Sequence, residues 1–176
     1  MTGRAGVVIV NTGDGKGKTT AALGLAMRSA GHGRKVLVLQ FIKGSWKSGE
    51  HESAKRLAGL IEIQTVGKGF LDPSRGPDDK DLKAAREGLR QAAGALASGA
   101  YGLVVLDEIL NAVDYGLCSV EEVIELLHSR RPGVDVVLTG RNAHSRIVEL
   151  ADTVTEFREV KHPFRKGIKA RKGIEF

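Results

Sequence analysis

AGVVIVNTGDGKGKTT, residues 5–20, sets a run of β-branched and other apolar residues directly before alternating glycines that end in Gly-Lys-Thr. An Ala/Leu-rich stretch with apolar residues at helical spacing follows over residues 19–31. Strand, glycine-rich turn and helix in this order are the setting in which backbone N–H groups and a helix N-terminus cradle phosphate. The stretch predicts a phosphate-binding loop at the carboxyl end of a buried strand.

The loop is one residue shorter than the usual motif, which has a Gly, four residues and then Gly-Lys-Ser/Thr. Its end fits that motif, but the first Gly should stand at position 12, which is Thr12. Gly13 leaves only three residues before Gly17. A contracted loop has fewer inward N–H groups, so transfer of the terminal phosphoryl group does not follow from it. The orientation of a bound nucleotide cannot be derived from the residue count.

The rest of the chain alternates strand and helix patterns. We expect strands at residues 5–10, 35–42, 61–66, 103–106, 134–139 and 153–157, and helices at 19–31, 51–58, 81–98, 119–129 and 145–150. This order predicts an α/β fold with a mainly parallel sheet of about six strands and helices on both faces. We expect residues 1–159 to form one nucleotide-binding domain, with residues 160–176 as its basic C-terminal tail.

A second motif supports nucleotide binding. LVVLDE, residues 103–108, is an apolar strand that ends in Asp107 and Glu108. A carboxylate at such a strand end holds Mg²⁺ or its water shell, Thr19 offers a hydroxyl to the same ion, and Lys18 offers a cation to phosphate oxygens. We therefore expect a nucleoside triphosphate with Mg²⁺ (or Mn²⁺). The loop residues expected to bind it are Gly13, Asp14, Gly15, Lys16, Gly17, Lys18, Thr19 and Thr20.

Composition narrows the class of protein. The chain has 176 residues, 41% hydrophobic and 27% charged, and a single cysteine, Cys118. No apolar run approaches the roughly 18 residues that cross a bilayer. We expect a soluble cytoplasmic protein that does not act at a membrane. The net charge of +6 lies mostly in residues 158–176. Because the body is nearly neutral, nucleic-acid binding is not expected, and the tail is either a local basic device or a solvated end.

The sequence resembles one family, the P-loop ATP:corrinoid adenosyltransferases, also called cob(I)alamin or cob(I)yrinic acid a,c-diamide adenosyltransferases. The resemblance runs nearly end to end through GDGKGKTTAALGLAMRSAGHG (13–33), VLQFIKGSWKSGE (38–50), VVLDEI (104–109), LTGRNAH (138–144) and VKHPFRKGIKARKGIEF (160–176). The short loop is itself a family feature. The resemblance implies a three-layer RecA-like P-loop NTPase fold and transfer of the 5′-deoxyadenosyl group of ATP to Co(I) of a corrinoid, in adenosylcobalamin biosynthesis or salvage.

It also implies that ATP lies in the loop in the reversed sense, so that the 5′ carbon of the ribose faces the corrinoid and triphosphate leaves. Co(I) is a strong nucleophile and needs no general base. The charge that grows on triphosphate is stabilised by backbone N–H groups, Lys18 and the metal. A homodimer and a flavoprotein reductase that supplies Co(I) are further expectations.

Five more site residues follow from the resemblance. Lys43 is expected at the phosphates or the ribose, Glu50 at the ribose or as a support of its own loop, and Arg141 at the nucleotide. Trp46 is expected to cover the corrin or the adenine, or to lie at a dimer contact. Phe70 matches an aromatic that packs beneath the corrin and helps displace the lower cobalt ligand. The plain alternatives are an exposed loop charge for Lys43 and Glu50, a surface ion pair for Arg141 and a core side chain for Phe70.

Two departures from the family pattern affect the corrinoid. Asp72 stands where relatives often have Trp, so we expect an incomplete hydrophobic wedge beneath the corrin. Relatives commonly have an extra N-terminal helix, whereas this chain begins a few residues before its first strand. We then expect the corrinoid to be closed over by the tail or by the loop at 67–79, or else to be covered more weakly.

Two other functions stay open at this point. A P-loop kinase or NTPase would act at the γ-phosphate and release ADP, whereas adenosyl transfer releases triphosphate. A non-enzymatic module, gated by nucleotide and binding a corrinoid or nucleic acid, would bind without turnover.

Overall fold

Residues 5–44, 48–57, 59–69 and 76–175 are described by the computed structural model of the chain. Across these residues six strands form one sheet in the order β3-β2-β4-β5-β1-β6. The strands are β1 Val8–Thr12, β2 Val36–Gln40, β3 Ile61–Thr65, β4 Leu103–Asp107, β5 Asp135–Thr139 and β6 Thr153–Glu156. The helices are α1 Lys18–Gly31, α2 Gly49–Lys55, α3 Asp79–Ser98, α4 Ile109–Asp114, α5 Val120–His128 and α6 Ser145–Leu150, and a short 3-10 helix spans Pro163–Lys166.

The described strands all pair in parallel, which confirms the predicted sheet. Strands β2, β4 and β5 are buried at every position, because helices cover both faces and leave no solvated side for alternation. Alanines of α1 pack on one face, with α2 beside them. Helices α3 to α6 cover the other face. No helix in the described segments is long and apolar enough to cross a bilayer.

Capping side chains decide where two helices begin. The Asp78 carboxylate accepts the N–H groups of Lys80 and Asp81 at 2.9 and 2.8 Å, so α3 starts at Asp79 and not at the predicted position 81. The capping box of Ser119 and Glu122, which the sequence predicts, is confirmed. A capping side chain bonds backbone N–H groups only two or three residues away, so it can be recognised in the sequence.

Several predicted boundaries were wrong by two or three residues, and one helix was missed. Strand β1 runs from Val8 to Thr12 rather than over 5–10, and α2 spans Gly49–Lys55 rather than 51–58. Helix α4 has only six residues, too few to give a clear helical period. It begins after Glu108, whose left-handed backbone (φ 62°) turns the chain sharply at the end of β4.

The strand order brings the predicted motifs together. Strand β5 lies between β1 and β4, and Asn11 of β1 pairs with Thr139 of β5. The carboxyl ends of β1, β4 and β5 therefore meet at one edge of the sheet, where ligands of parallel sheets bind. The phosphate loop and the acidic strand end are separated there by the width of a single strand.

Candidate active site

The loop after β1, residues 13–17, packs tightly against the chain that follows β6. Gly15 donates its N–H to the Phe157 carbonyl at 2.6 Å. A Cβ at Gly13 would lie 2.6 Å from that same oxygen, and a Cβ at Gly15 would lie 2.7 Å from backbone atoms of Phe157 and Arg158. Gly13 also has a φ of 98°, in the region that favours glycine. The loop is therefore shaped by packing before any anion binds.

Thr12 occupies the position at which the longer motif has Gly. Its hydroxyl accepts the N–H of Ala143 at 3.2 Å, and its carbonyl accepts the N–H of Phe157 at 2.8 Å. The residue joins β1 to the segments that follow β5 and β6. The Thr12 side chain makes a hydrogen bond that a glycine could not make, and the glycine-rich loop begins one residue later, at Gly13.

Lys18 folds back into its own loop. Its ammonium donates to the carbonyl oxygens of Gly13 and Gly15 at 2.6 and 2.8 Å. Burial lowers the pKa of Lys18, and the nearby Arg141 guanidinium lowers it further, whereas nearby carboxylates act in the opposite direction. The side chain is held at the centre of the loop, where phosphate oxygens would compete for it.

Asp107 is the anchor of a buried hydrogen-bond network. Its Oδ1 accepts the hydroxyls of Thr19 at 2.8 Å and Thr139 at 2.7 Å. The Thr139 oxygen also accepts the N–H of Glu108 at 2.8 Å. Oδ2 has a longer contact, 3.5 Å, with Nε2 of Gln40. The Thr19 hydroxyl thus joins the start of α1 to Asp107, and the Thr139 hydroxyl of β5 holds the end of β4, so that together they orient the carboxylate.

Glu108 lies on the cavity side of this network. Burial, together with the neighbouring Asp107 carboxylate, raises the pKa of Glu108 to about 7, although Lys43 and Lys18 act in the opposite direction. A carboxylate that is buried beside another negative charge takes up a proton or a cation readily.

Lys43 and Glu50, which both line the cavity, form an ion pair with 2.5 Å between Nζ and Oε1. Burial would raise the pKa of Glu50, but hydrogen bonds from Lys43 and Ser48 outweigh it and hold the pKa at about 2. Gln40 Nε2 approaches the same oxygen at 3.4 Å. The pair is therefore linked through Gln40 to Asp107.

Arg141 lies beside the loop rather than in the cavity wall. Its Nε is 3.6 Å from the Asp14 carboxylate, and both side chains are more than half exposed. The backbone N–H of Arg141 donates to Asn111 Oδ1 at 2.6 Å, which ties the chain after β5 to α4. This arrangement agrees with the ion-pair alternative and leaves the guanidinium within reach of a ligand on the loop.

These elements enclose one cavity of about 590 Å³, within the range of small-molecule sites. The sequence-predicted residues among its lining are Gly15, Lys16, Gly17, Lys18, Thr19, Thr20, Lys43, Glu50 and Glu108. Three residues of the tail, 173–175, also line it. The Lys16 ammonium pairs with the Glu175 carboxylate at 2.7 Å. The end of the tail therefore lines the cavity while Gly173 and Ile174 are also exposed to solvent, and both interpretations of the tail stay predictions.

Trp46, Phe70 and Asp72 lie outside the described residues, so their predicted roles stay predictions. Sequence reasoning missed Thr139, Gln40 and Glu175. Thr139 and Gln40 are fully buried polar residues at strand ends, and a polar residue that closes an apolar strand was the available signal. Glu175 gave none, because its partner Lys16 is 159 positions away.

Mg²⁺ fits the oxygen atoms at the end of β4. Hard divalent cations prefer carboxylate and hydroxyl oxygens, and the Thr19 hydroxyl and Asp107 carboxylate converge here with Glu108 beside them. Among the described residues, no group of three or more His, Cys, Asp or Glu side chains forms a metal site of the protein's own. The oxygen set suits an ion that arrives with phosphate and completes its shell from it.

Comparison with known proteins identifies the family. The sequence model of the family ATP:corrinoid adenosyltransferase BtuR/CobO/CobP matches residues 4–176. A corrinoid adenosyltransferase of Escherichia coli is 44% identical over 171 residues, which cover 97% of this chain and 86% of that protein. The corrinoid adenosyltransferase CobA of Salmonella typhimurium is 42% identical over 97% of this chain and 86% of its own. One from Pseudomonas aeruginosa is 41% identical over 97% and 84%.

The fold is shared more widely. The flagellar accessory protein FlaH of Methanocaldococcus jannaschii superposes with a TM-score of 0.61 over 87% of this chain and 71% of its own, at 13% identity. At that identity the likeness concerns the fold alone, and it agrees with the P-loop, RecA-like architecture. With a sequence model that matches nearly the whole chain and relatives above 40% identity, the chain belongs to the ATP:corrinoid adenosyltransferase family.

Proposed function

We propose that the chain transfers the 5′-deoxyadenosyl group of ATP to the Co(I) centre of a corrinoid, and that the loop at residues 13–20 holds the triphosphate which leaves. ATP and a corrinoid are the substrates of the family to which the chain belongs. The observation that carries the assignment of the site is the network of Thr19, Asp107 and Thr139 at the floor of the cavity. It joins the phosphate loop to the acidic strand end in one polar cluster.

The loop stabilises the leaving group. Transfer breaks the bond between the ribose 5′ carbon and its oxygen, and the electron pair of that bond goes to triphosphate. Lys18, the backbone N–H groups of the loop and the N-terminus of α1 stand where this charge grows. Lys18 already lies in the loop, held by two carbonyl oxygens, and phosphate oxygens would replace part of these contacts.

Thr19, Asp107 and Glu108 would hold Mg²⁺ at this site. When bound there with phosphate, the ion neutralises charge on the leaving oxygens. The role of Asp107 is to present its carboxylate in a fixed direction, since both hydroxyls donate to the same oxygen. Glu108, with a pKa raised to about 7 by burial and by Asp107, gains most from a neighbouring cation.

The electron-rich cobalt supplies the attacking pair itself, so the chain needs no side chain to remove a proton. The Lys43 and Glu50 pair contributes by binding the substrate. Both side chains line the cavity beside the loop, and Glu50 stays ionised. A carboxylate in this position accepts hydrogen bonds from ribose hydroxyls, and Lys43 keeps it oriented.

Other parts of the assignment extend beyond the cavity. We propose that the active form is a homodimer, that a flavoprotein reductase supplies Co(I), and that the enzyme acts in the cytoplasm. Among the described residues, exposed apolar side chains of the tail offer surface for contact with a second copy or the corrinoid, notably Val160 and Phe164, at 92% and 78% exposure.

The direct test is anaerobic incubation with ATP, Mg²⁺ and chemically reduced cobalamin. We expect the light-sensitive spectrum of a carbon–cobalt bond and one inorganic triphosphate for each corrinoid converted. Chemical reduction removes the need for the reductase. Formation of ADP and phosphate without an adenosylated corrinoid would refute the proposal in favour of a γ-phosphate reaction.

A further inference from the structure

Both lysines of the phosphate loop have partners from the chain itself. Lys18 donates to two loop carbonyls. Lys16 instead meets a full negative charge, the Glu175 carboxylate at 2.7 Å, supplied by the far end of the chain. Lys16 and Glu175 both line the nucleotide cavity. A phosphate chain on the loop would therefore find one of its cations already neutralised.

The last turn of the tail presents Glu175 as part of a small ordered unit. One carboxylate oxygen meets Lys16, and the other accepts the N–H of Arg171 at 2.7 Å. The N–H of Glu175 returns to the Arg171 carbonyl at 2.9 Å. The hydrogen bond from Lys16 is the leading cause that lowers the pKa of Glu175. Both the carboxylate and the backbone of Glu175 are therefore tied to Arg171.

We propose that Glu175 is an intrinsic competitor of triphosphate on the loop: its carboxylate neutralises Lys16 in the empty site, yields to the phosphate chain when ATP binds, and returns as triphosphate leaves. The inference rests on the proposed function, since it takes triphosphate as the anion that must be released. Its physical basis is that a carboxylate at the loop repels a polyanion and shares a cation with it. Tight binding of the leaving group favours the reaction but slows its release, and a competing carboxylate relieves that conflict.

The test is the affinity for inorganic triphosphate with Mg²⁺, measured by isothermal titration calorimetry on the full chain. For Glu175→Gln we expect roughly two- to fivefold tighter binding, the size of a partly exposed ion pair. In the Lys16→Met background the same substitution should have little effect, because the contact that holds the carboxylate over the loop is gone. The gain should also shrink at high salt, since screening weakens the charge competition.

Glu159→Gln is the matched control. It makes the same charge change in the same segment, but Glu159 pairs with Arg165 and is not part of the cavity lining described above. We expect nearly wild-type affinity for triphosphate. Unchanged or weaker binding by Glu175→Gln, or an equal gain in the Lys16→Met background, would overturn the inference.

Turnover provides a second readout that separates this inference from the proposed function. With chemically reduced cobalamin, Glu175→Gln should be inhibited by added triphosphate at lower concentration than the wild type. The titrations contain no corrinoid, so they remain valid if adenosyl transfer fails. Failure of the wild type to form an adenosylated corrinoid would count against the proposed function and not against the competition.

Discussion

Thr139→Val removes the β5 hydroxyl that holds the acidic end of β4, while keeping the shape of the side chain. Thr139 is fully buried. Its hydroxyl donates to Asp107 at 2.7 Å and accepts the N–H of Glu108 at 2.8 Å. A hydrogen bond to a charged group contributes roughly 1.5–3 kcal/mol, and a buried N–H that loses its partner costs roughly 1–3 kcal/mol. Both depend on one oxygen and do not add fully.

We therefore expect the free energy of unfolding to fall by about 2–4 kcal/mol. For a chain of this size that lowers the melting temperature by roughly 4–16 °C. Because Asp107 would also lose its orientation, the adenosyl transfer rate should fall about 10- to 100-fold, as for other residues that support metal ligands.

Thermal and urea unfolding followed by circular dichroism measures the first effect, and the anaerobic cobalamin assay measures the second. Thr139→Ser is the control, since it keeps the hydroxyl and loses only a methyl group, at a cost of about 1 kcal/mol. The reasoning fails if Thr139→Val melts no lower than Thr139→Ser, since the remaining difference of about 1–3 kcal/mol should separate the two by roughly 2–12 °C.

Three further outcomes follow from the site. Lys18→Ala should abolish adenosyl transfer and weaken ATP binding in calorimetry; near-normal turnover would show that the loop cation is dispensable. Gly15→Ala would place a Cβ 2.7 Å from backbone atoms, so we expect about 1–3 kcal/mol of lost stability and weaker ATP binding, and an unchanged urea midpoint would contradict this. Burial and Asp107 raise the pKa of Glu108 to about 7 in the folded chain. Because the folded state then holds this proton more tightly than the unfolded state, Glu108 favours folding less and less as pH rises from its ordinary pKa toward the folded value. In metal-free, nucleotide-free protein, the stability of Glu108→Gln relative to wild type should increase by about 3 kcal/mol across that interval, and parallel pH–stability curves for the two proteins would contradict the prediction.

Much of the fold was predictable because its signals are local. Continuous apolar runs such as residues 103–106 indicate strands buried on both faces, and the Ser119 and Glu122 capping box marks its helix within four residues. Helix α4 was not predictable in this way, since its six residues follow a backbone turn at Glu108, whose N–H is bonded to Thr139, 31 positions away. The strand order, with β5 between β1 and β4, likewise depends on pairings far apart in sequence.

The residues of the site also divide into those that local sequence predicted and those that it did not. Lys18, Thr19 and Asp107 stand in motifs whose spacing reflects a phosphate, so they could be named in advance. The contraction of the loop was also visible, but its packing reason was not. Gly13 and Gly15 lie against Phe157, more than 140 residues later in the chain.

By itself, then, the order of residues determined the class of sheet and the position of the anion-binding turn, because each depends on neighbours within a few turns of chain. It also indicated the family, because matching motifs recur along nearly the whole chain. Only the tertiary structure decided how Asp107 is oriented by Thr139 and how Lys16 is neutralised by Glu175. Both contacts join segments with no shared local pattern, and the energy of a charge depends on what lies a few ångströms away in space, whatever its distance along the chain.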